Sequence, residues 1–454
     1  MADDLRFICK RTVVSTKEVK PGKIFPLSVL DHSMELNRIR IVIYYNYLKK
    51  FSDGEVTIKM RESLAELLTS FPMVTGRLKR SPEGQWTIKC NDAGVRMVEA
   101  TAKGSVEEWL ERVDRESELQ LASWEDMFHN PYFWSTFYVQ LTEFEGGGLA
   151  IGLSCTHLVA DAAAATMLLK AWAETTLLGK MLSPPYFHPL PTTKTRSISP
   201  NPHLIPHYQS SFSLSINNPI PTSNTPNMAT LTLSFSQHMV QRCMADARSS
   251  DPFASLAALL WVAICGVKDK SKQGVLLDMS LCLDMRKVLG LSKAFFGNAM
   301  VFDKVSGDGL KERDLVEAAK VISDGVSKMG NEGVVMGLIE WLQSEKMSHE
   351  HNLPVLSGPG LVCANWEGLC PYEAKFEVGV EPIRASYYLE SVFGEGHLLI
   401  LPAPKGEGPL GRAVMVTLPD DQALELCEDP LIHSYSPTIL MGPKTTPVRD
   451  VNSH

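Results

Sequence analysis

A histidine and an aspartate four positions apart stand where an apolar run gives way to a run of small residues: Gly152-Leu153-Ser154-Cys155-Thr156-His157-Leu158-Val159-Ala160-Asp161, followed by Ala162-Ala163-Ala164-Ala165. The first part reads as a strand. The second reads as a helix that continues through Leu168, Leu169 and Trp172 to Gly179. An imidazole delivered to the end of a buried strand can take a proton from a hydroxyl near pH 7, because its ordinary pKa lies close to that pH. The same residues also have a plainer use. Asp161 is suited to cap its helix, Gly179 to stop it, and His157 to sit satisfied in a core. The spacing alone leaves both roles open.

Two other patterns resemble chemistry and fail on context. Gly406-Glu407-Gly408-Pro409-Leu410-Gly411 has the spacing of a dinucleotide loop. It follows Pro402 and Pro404 and leads into a strand, the reverse of the order such a site needs, so a hairpin loop is expected. His349-Glu350-His351 lacks the spacing that places two zinc ligands on one helix face, and it lies in a polar stretch. No metal site is expected.

Behind His157, residues 138–144 and 149–155 flank Gly146-Gly147-Gly148 and read as a β-hairpin ending at the histidine. Upstream, 39–45 reads as a strand rich in β-branched and aromatic residues, and 56–71 as an amphipathic helix with Met60, Leu64, Leu67 and Leu68 on one side. Short strands are expected at 86–90 and 95–98 around the turn 91–94, and a helix at 106–113. A length of 454 residues exceeds what one compact core holds, so two domains are expected. Pro, Ser, Thr and Asn dominate from 183, which divides the chain into 1–182, an exposed crossover linker 183–228, and 229–454. The last part restarts with a strand at 229–235 and helices at 237–247 and 253–266. It ends in strands at 387–393, 397–401 and 413–418, and no internal repeat is visible.

A hydrophobic content of 44% with 21% charged residues marks a globular chain, and a net charge of -8 without a basic stripe argues against a nucleic-acid partner. Nine cysteines without a Cys-x-x-Cys pair fit a reducing compartment. The start, Met1-Ala2-Asp3-Asp4-Leu5-Arg6, has no apolar h-region, and the apolar stretch 254–267 is too short to span a bilayer. A soluble cytoplasmic protein is expected.

Further segments stand beside the His157 stretch: Leu27-Ser28-Val29-Leu30-Asp31, Pro72-Met73-Val74-Thr75-Gly76-Arg77-Leu78, and Cys90-Asn91-Asp92-Ala93-Gly94-Val95 with Val98-Glu99-Ala100. Then come Asp284-Met285-Arg286, Phe295-Phe296-Gly297-Asn298-Ala299 and Leu399-Ile400-Leu401-Pro402-Ala403-Pro404. In order and spacing, the set resembles the BAHD family of plant acyl-CoA-dependent acyltransferases over nearly the whole chain. The resemblance implies an α/β fold of two similar chloramphenicol-acetyltransferase-like domains, each a mixed sheet with helices, joined by a long crossover. It implies a channel at their interface, entered by CoA from one face and the acceptor from the other. His157 would then deprotonate a hydroxyl acceptor, in preference to an amine, for attack on the thioester. Asp161 would pair with Arg286 and hold the histidine loop in shape. No cofactor is implied beyond the acyl-CoA donor, and the chain is expected to act as a monomer on a small-molecule acceptor.

The chain departs from the family at its second signature, DFGWG. Trp366 and Tyr372 lead at the expected spacing to Lys375-Phe376-Glu377-Val378-Gly379, so lysine replaces aspartate and Val378 replaces tryptophan. In the family this loop shapes the channel and its CoA side. Trp366 matches a tryptophan near the reaction centre, where its indole N–H could serve a developing oxyanion, and packing is the alternative use. Ile39, Ile41 and Ile43 match a segment that contacts the acceptor. There they would favour an apolar ligand, and they read equally as core. A degraded DFGWG with an Asn-Asp-x-Gly segment is shared with the eceriferum/Glossy branch. This opens a second expectation: a partner of the fatty-acid elongase condensing enzyme in very-long-chain lipid synthesis, peripheral at the endoplasmic reticulum. Condensation domains of peptide synthesis use a second histidine where Thr156 stands.

Overall fold

The computed structural model describes residues 4–17, 22–46, 55–81, 85–127, 130–191, 203–210, 227–268, 277–308, 310, 314–348, 360–392 and 394–443. The first half of the chain contributes β1 (Leu5–Val13), β2 (Ile24–Pro26), β3 (Arg38–Tyr45), β4 (Arg77–Arg80), β5 (Trp86–Lys89), β6 (Val95–Ala102), β7 (Phe137–Phe144) and β8 (Leu149–Thr156). The second half contributes β9 (Met228–Phe235), β10 (Met279–Asp284), β11 (Met300–Val305), β12 (Leu361–Asn365), β13 (Pro382–Glu390), β14 (Gly396–Pro402), β15 (Arg412–Pro419) and β16 (Thr438–Met441). They form two mixed sheets in the orders β1-β6-β7-β8-β3-β13 and β11-β10-β12-β14-β15-β9-β16, with β2-β5-β4 as a small third. Among the helices, α1 (Val29–His32), α2 (Glu55–Leu68), α3 (Val106–Leu110), α4 (Arg115–Leu119) and α5 (Ala162–Leu178) belong to the first half.

Strand alternation sets the faces of the first sheet. Ile39, Ile41 and Ile43 share one face of β3 with Tyr387 of β13, whose hydroxyl lies 2.9 Å from Thr166 Oγ1 on α5. On the other face, Arg40 Nε donates to the Ala122 carbonyl at 3.0 Å and the Tyr44 hydroxyl to Glu118 Oε1 at 2.8 Å. Gly152, in the middle of β8, lets that layer approach. A Cβ there would stand 2.0 Å from the Leu121 carbonyl oxygen, so only glycine fits. In the second half, the helix Pro252–Lys268 is apolar on all sides and accordingly buried along most of its length.

One strand crosses between the halves. β13 belongs by sequence to the second half and pairs antiparallel with β3, from Glu390 opposite Arg38 to Pro382 opposite Tyr45. Two buried carboxylates hold it. Glu390 meets Arg38 (3.2 Å), Arg40 (2.9 Å) and Arg115 (3.0 Å), while Glu118 accepts from Ser386 Oγ (3.0 Å) and from the Tyr388 hydroxyl.

Within the stretch from 183, several of the described residues dock onto the two halves while others stay exposed. Tyr186 exchanges backbone hydrogen bonds with the second half, to Ala294 O at 2.7 Å and from Phe296 N at 3.0 Å. Phe187 packs edge-on against Phe71 and Phe296, and Leu204 and Tyr208, four positions apart, are buried. Sparse apolar residues inside a polar run are enough to dock it. The strands at 86–90 and 95–98 do not pair with each other. β5 lies in the small sheet and β6 in the large one, and Arg77 secures the turn between them through the carbonyls of Ala93 (2.9 Å) and Gly94 (2.8 Å). The hairpin β7–β8 pairs as expected, and the glycine-rich loop at 406–411 joins the antiparallel strands β14 and β15. The sequence patterns missed β1, β10, β11, β12 and the helices Leu315–Met329 and Glu332–Ser348. His349, Glu350 and His351, and Phe393 at the end of the expected strand 387–393, lie outside the described residues.

Candidate functional site

β8 ends at Thr156, and a short turn carries His157 to Asp161, which caps α5 by accepting from Ala164 N at 2.9 Å. Gly179 closes the helix in a left-handed conformation, φ 72°. Asp161 does more than cap. Its two oxygens meet the two terminal nitrogens of the Arg286 guanidinium end-on at 2.9 Å each, and Oδ2 also accepts from Ala299 N at 3.0 Å. Arg286 in turn binds Asp284 (3.0 Å) and the carbonyl of Gly297 (3.0 Å). Burial disfavours the guanidinium charge, but Asp161 and Asp284 outweigh it and raise the Arg286 pKa. The carboxylate is thus engaged on both oxygens by groups other than the His157 ring.

His157 is 2% exposed. Its backbone N–H donates to the Asn37 carbonyl at 2.9 Å, and its own carbonyl accepts from Asn298 Nδ2 at 2.7 Å. Burial pushes the imidazole pKa below its ordinary 6.5, opposed by the Asp161 charge, the residue's own carbonyl and the Asn298 side chain. The ring is therefore neutral at pH 7, the form that accepts a proton. Nδ1 is buried and meets no partner within hydrogen-bond geometry among the described residues.

Trp366 follows β12, 2% exposed, with its ring edge-on to Tyr387 at 5.9 Å and its indole Nε1 without a hydrogen-bond partner among the described residues. Ile39, Ile41 and Ile43 are each 0% exposed, so acceptor contact there requires the core to open. The loop Lys375 to Gly379 lies partly at the surface. Lys375 pairs with Glu381, Val378 is 84% exposed, and Gly379 adopts φ +79°. Phe376 alone reaches inward, edge-on to Trp172 (5.1 Å) and Tyr45 (5.8 Å). A groove of about 510 Å³ beside Arg40, Gln140 and Trp124 is lined by none of the predicted site residues. Among the described residues no group of three or more potential metal ligands occurs, and no helix is long and apolar enough to cross a membrane.

Sequence reasoning had no reason to bring Asn37, Asp31 and Asn298 to the histidine. Asp31 and Asn298 each stand in a segment that carries the family resemblance, but nothing local links positions 31, 157 and 298.

Two mixed sheets, joined across a turn that carries His157 and Asp161, are the architecture of the BAHD acyl-CoA-dependent acyltransferases, and the chain belongs to that family: residues 5–430 match the Transferase family. It is similar to Protein ECERIFERUM 26 of Arabidopsis thaliana, 26% identical over 90% of this chain and 92% of that protein. It is also similar to the Arabidopsis thaliana fatty alcohol:caffeoyl-CoA acyltransferase, 29% identical over 66% of this chain and 72% of that one. Its fold is that of TRI101 from F. sporotrichioides, solved with coenzyme A and T-2, with a TM-score of 0.70 at 14% identity over 92% of this chain and all of that one.

Proposed function

We propose that this protein transfers an acyl group from an acyl-CoA thioester to a hydroxyl acceptor, in preference to an amine, with His157 as general base. The observation that carries the reading is the placement of His157: fixed through both its backbone groups, beside an aspartate wholly occupied by Arg286, in a buried setting that lowers the imidazole pKa. The imidazole takes the acceptor's O–H proton, and the oxygen attacks the thioester carbonyl. The tetrahedral intermediate then collapses, the C–S bond breaks, and the imidazolium returns the proton to the CoA thiolate. Asp161 and Arg286 touch no reacting atom in this scheme. They hold the turn, and small misplacement of a base costs orders of magnitude in rate. The Trp366 indole N–H, unpartnered among the described residues, is suited to donate to the oxyanion. The chemistry calls for no metal or cofactor beyond the thioester. With 2% of His157 exposed, turnover requires side chains around the ring to give way as substrates enter.

The test is release of free thiol by the purified protein from a panel of hydroxycinnamoyl- and long-chain acyl-CoA donors with primary alcohols. His157→Ala is expected to lower the rate by about 100-fold or more, the share a general base contributes. Undiminished release by that variant removes the reading.

A second reading has its own support. The exposed Val378 and the Lys375–Glu381 pair depart from the family's second signature, and the similarity to ECERIFERUM 26 spans nearly the whole chain. On this reading the protein works beside a fatty-acid elongase condensing enzyme, peripheral at the endoplasmic reticulum rather than free in the cytoplasm. Co-expression with such an enzyme would then lengthen the fatty acids it makes, and an unchanged chain-length profile rejects it.

A further inference from the structure

Two buried carboxylates of the first half, Asp31 and Asp161, close on two consecutive residues of the second. Asp31 Oδ1 accepts from the backbone N–H of Asn298 at 3.0 Å and from its Nδ2 at 2.7 Å, while Asp161 Oδ2 accepts from Ala299 N at 3.0 Å. Asp31 is itself fixed, because its Oδ2 accepts from Ser28 N at 2.6 Å in the capping box of α1. Asn298 Nδ2 has two protons to give. One goes to Asp31, and the other goes to the carbonyl of His157 at 2.7 Å. With the His157 N–H on the Asn37 carbonyl at 2.9 Å, both backbone polar groups of the histidine are held, one from each half of the molecule.

The position suits an amide and little else. Two acceptors, a carboxylate and a carbonyl, converge on one side chain that is 1% exposed. A serine there offers one donor and an aspartate offers none, whereas asparagine offers two without burying a further charge. The charged groups around the turn are Asp31 and Asp161 with Arg286 and Asp284, and each of these is already paired or hydrogen-bonded.

The geometry points to Asn298 as a positioning residue: seated by Asp31, it holds the peptide of His157, and through it the direction of the imidazole, from the opposite half of the molecule. The consequence for rate rests on the transfer reaction proposed above. The consequence for the ring does not.

Full-length protein labelled with ¹⁵N-histidine tests the ring directly. A ring held in one orientation gives one sharp pair of nitrogen signals and a loosened ring gives exchange-broadened ones, and the His157 signals are those lost in His157→Ala. The wild-type ring is expected to give sharp signals and the Asn298→Ala ring broadened ones. Asn298→Ser, a smaller change that keeps a single short donor, is expected to move the same way and serves if the alanine variant does not fold. With a donor and acceptor that turn over, Asn298→Ala lowers kcat by about 100-fold, as for a displaced base, with KM little changed. Adding Asp31→Ala to it costs no more, because the two act in series. A wild-type ring already in exchange, variant rings as fixed as the wild type, or additive losses in the double variant each overturn the inference. Should the wild type release no thiol from any donor, the transfer reading falls and the ring signals still decide the role of Asn298.

Discussion

The turn at His157 and the loop from Lys375 to Gly379 both occupy places where the family carries a signature, and they are held in opposite ways. At the turn, Asp161 engages Arg286, Ala164 and Ala299, and the backbone of His157 is bound on both sides. In the loop, one ring, Phe376, is anchored between Trp172 and Tyr45, while Lys375 rests on a surface pair with Glu381 and Val378 projects into solvent. The difference shows how much each place can change. A residue bonded to several buried partners cannot vary without leaving each of them unsatisfied, whereas a side chain that touches little can be exchanged, charge included, at small cost. The fold tolerates lysine and valine in the loop, whereas the aspartate in the turn is a residue it cannot exchange so cheaply.

Removing Arg286 should break the contrast most forcibly. Arg286→Ala leaves Asp161 charged and buried without its partner, and such a loss costs about 3–5 kcal/mol. Urea unfolding should show the midpoint fall accordingly, and a variant as stable as the wild type would mean the pair holds nothing together.

A pH series probes the same buried region without mutation. Burial holds the pKa of His157 below 6.5, that of His207 at about 4 and that of His397 at about 3. The unfolded chain therefore takes up protons first as pH falls, so stability drops from about pH 6.5 downward and is flat above it as far as these groups are concerned. Melting temperatures across pH 4 to 8 measure this, and a midpoint that rises on acidification contradicts it. The smallest effect belongs to the loop. Val378→Asp should change stability by no more than about 0.5 kcal/mol, as for an exposed site. A cost comparable with that of Arg286→Ala would erase the distinction between the two regions.

Much of the first half was legible because its signals are local. The apolar runs on either side of Gly146-Gly147-Gly148 specify the β7–β8 hairpin, and Asp161 and Gly179 bracket α5 through contacts to residues three or four positions away. Composition could not say which residues of the linker dock, because it averages over a stretch. Leu204 and Tyr208 are two residues in a polar run, yet both are buried. β10, β11 and β12 were invisible for a related reason: strands of five or six residues carry little periodicity of their own and are defined by their neighbours.

From the sequence by itself came the family, the mixed α/β class, the histidine at a strand's end and the charge reversal at Lys375. Those are properties of residue type, order and near-neighbour spacing, which a chain carries before it folds. Tertiary structure alone decided that Arg286 meets Asp161 across 125 positions, that Asn298 meets Asp31 across 267, and that β13 joins the sheet of the other half. A hydrogen bond acts over about 3 Å, and only the packing of the two halves brings such distant donors and acceptors within that reach.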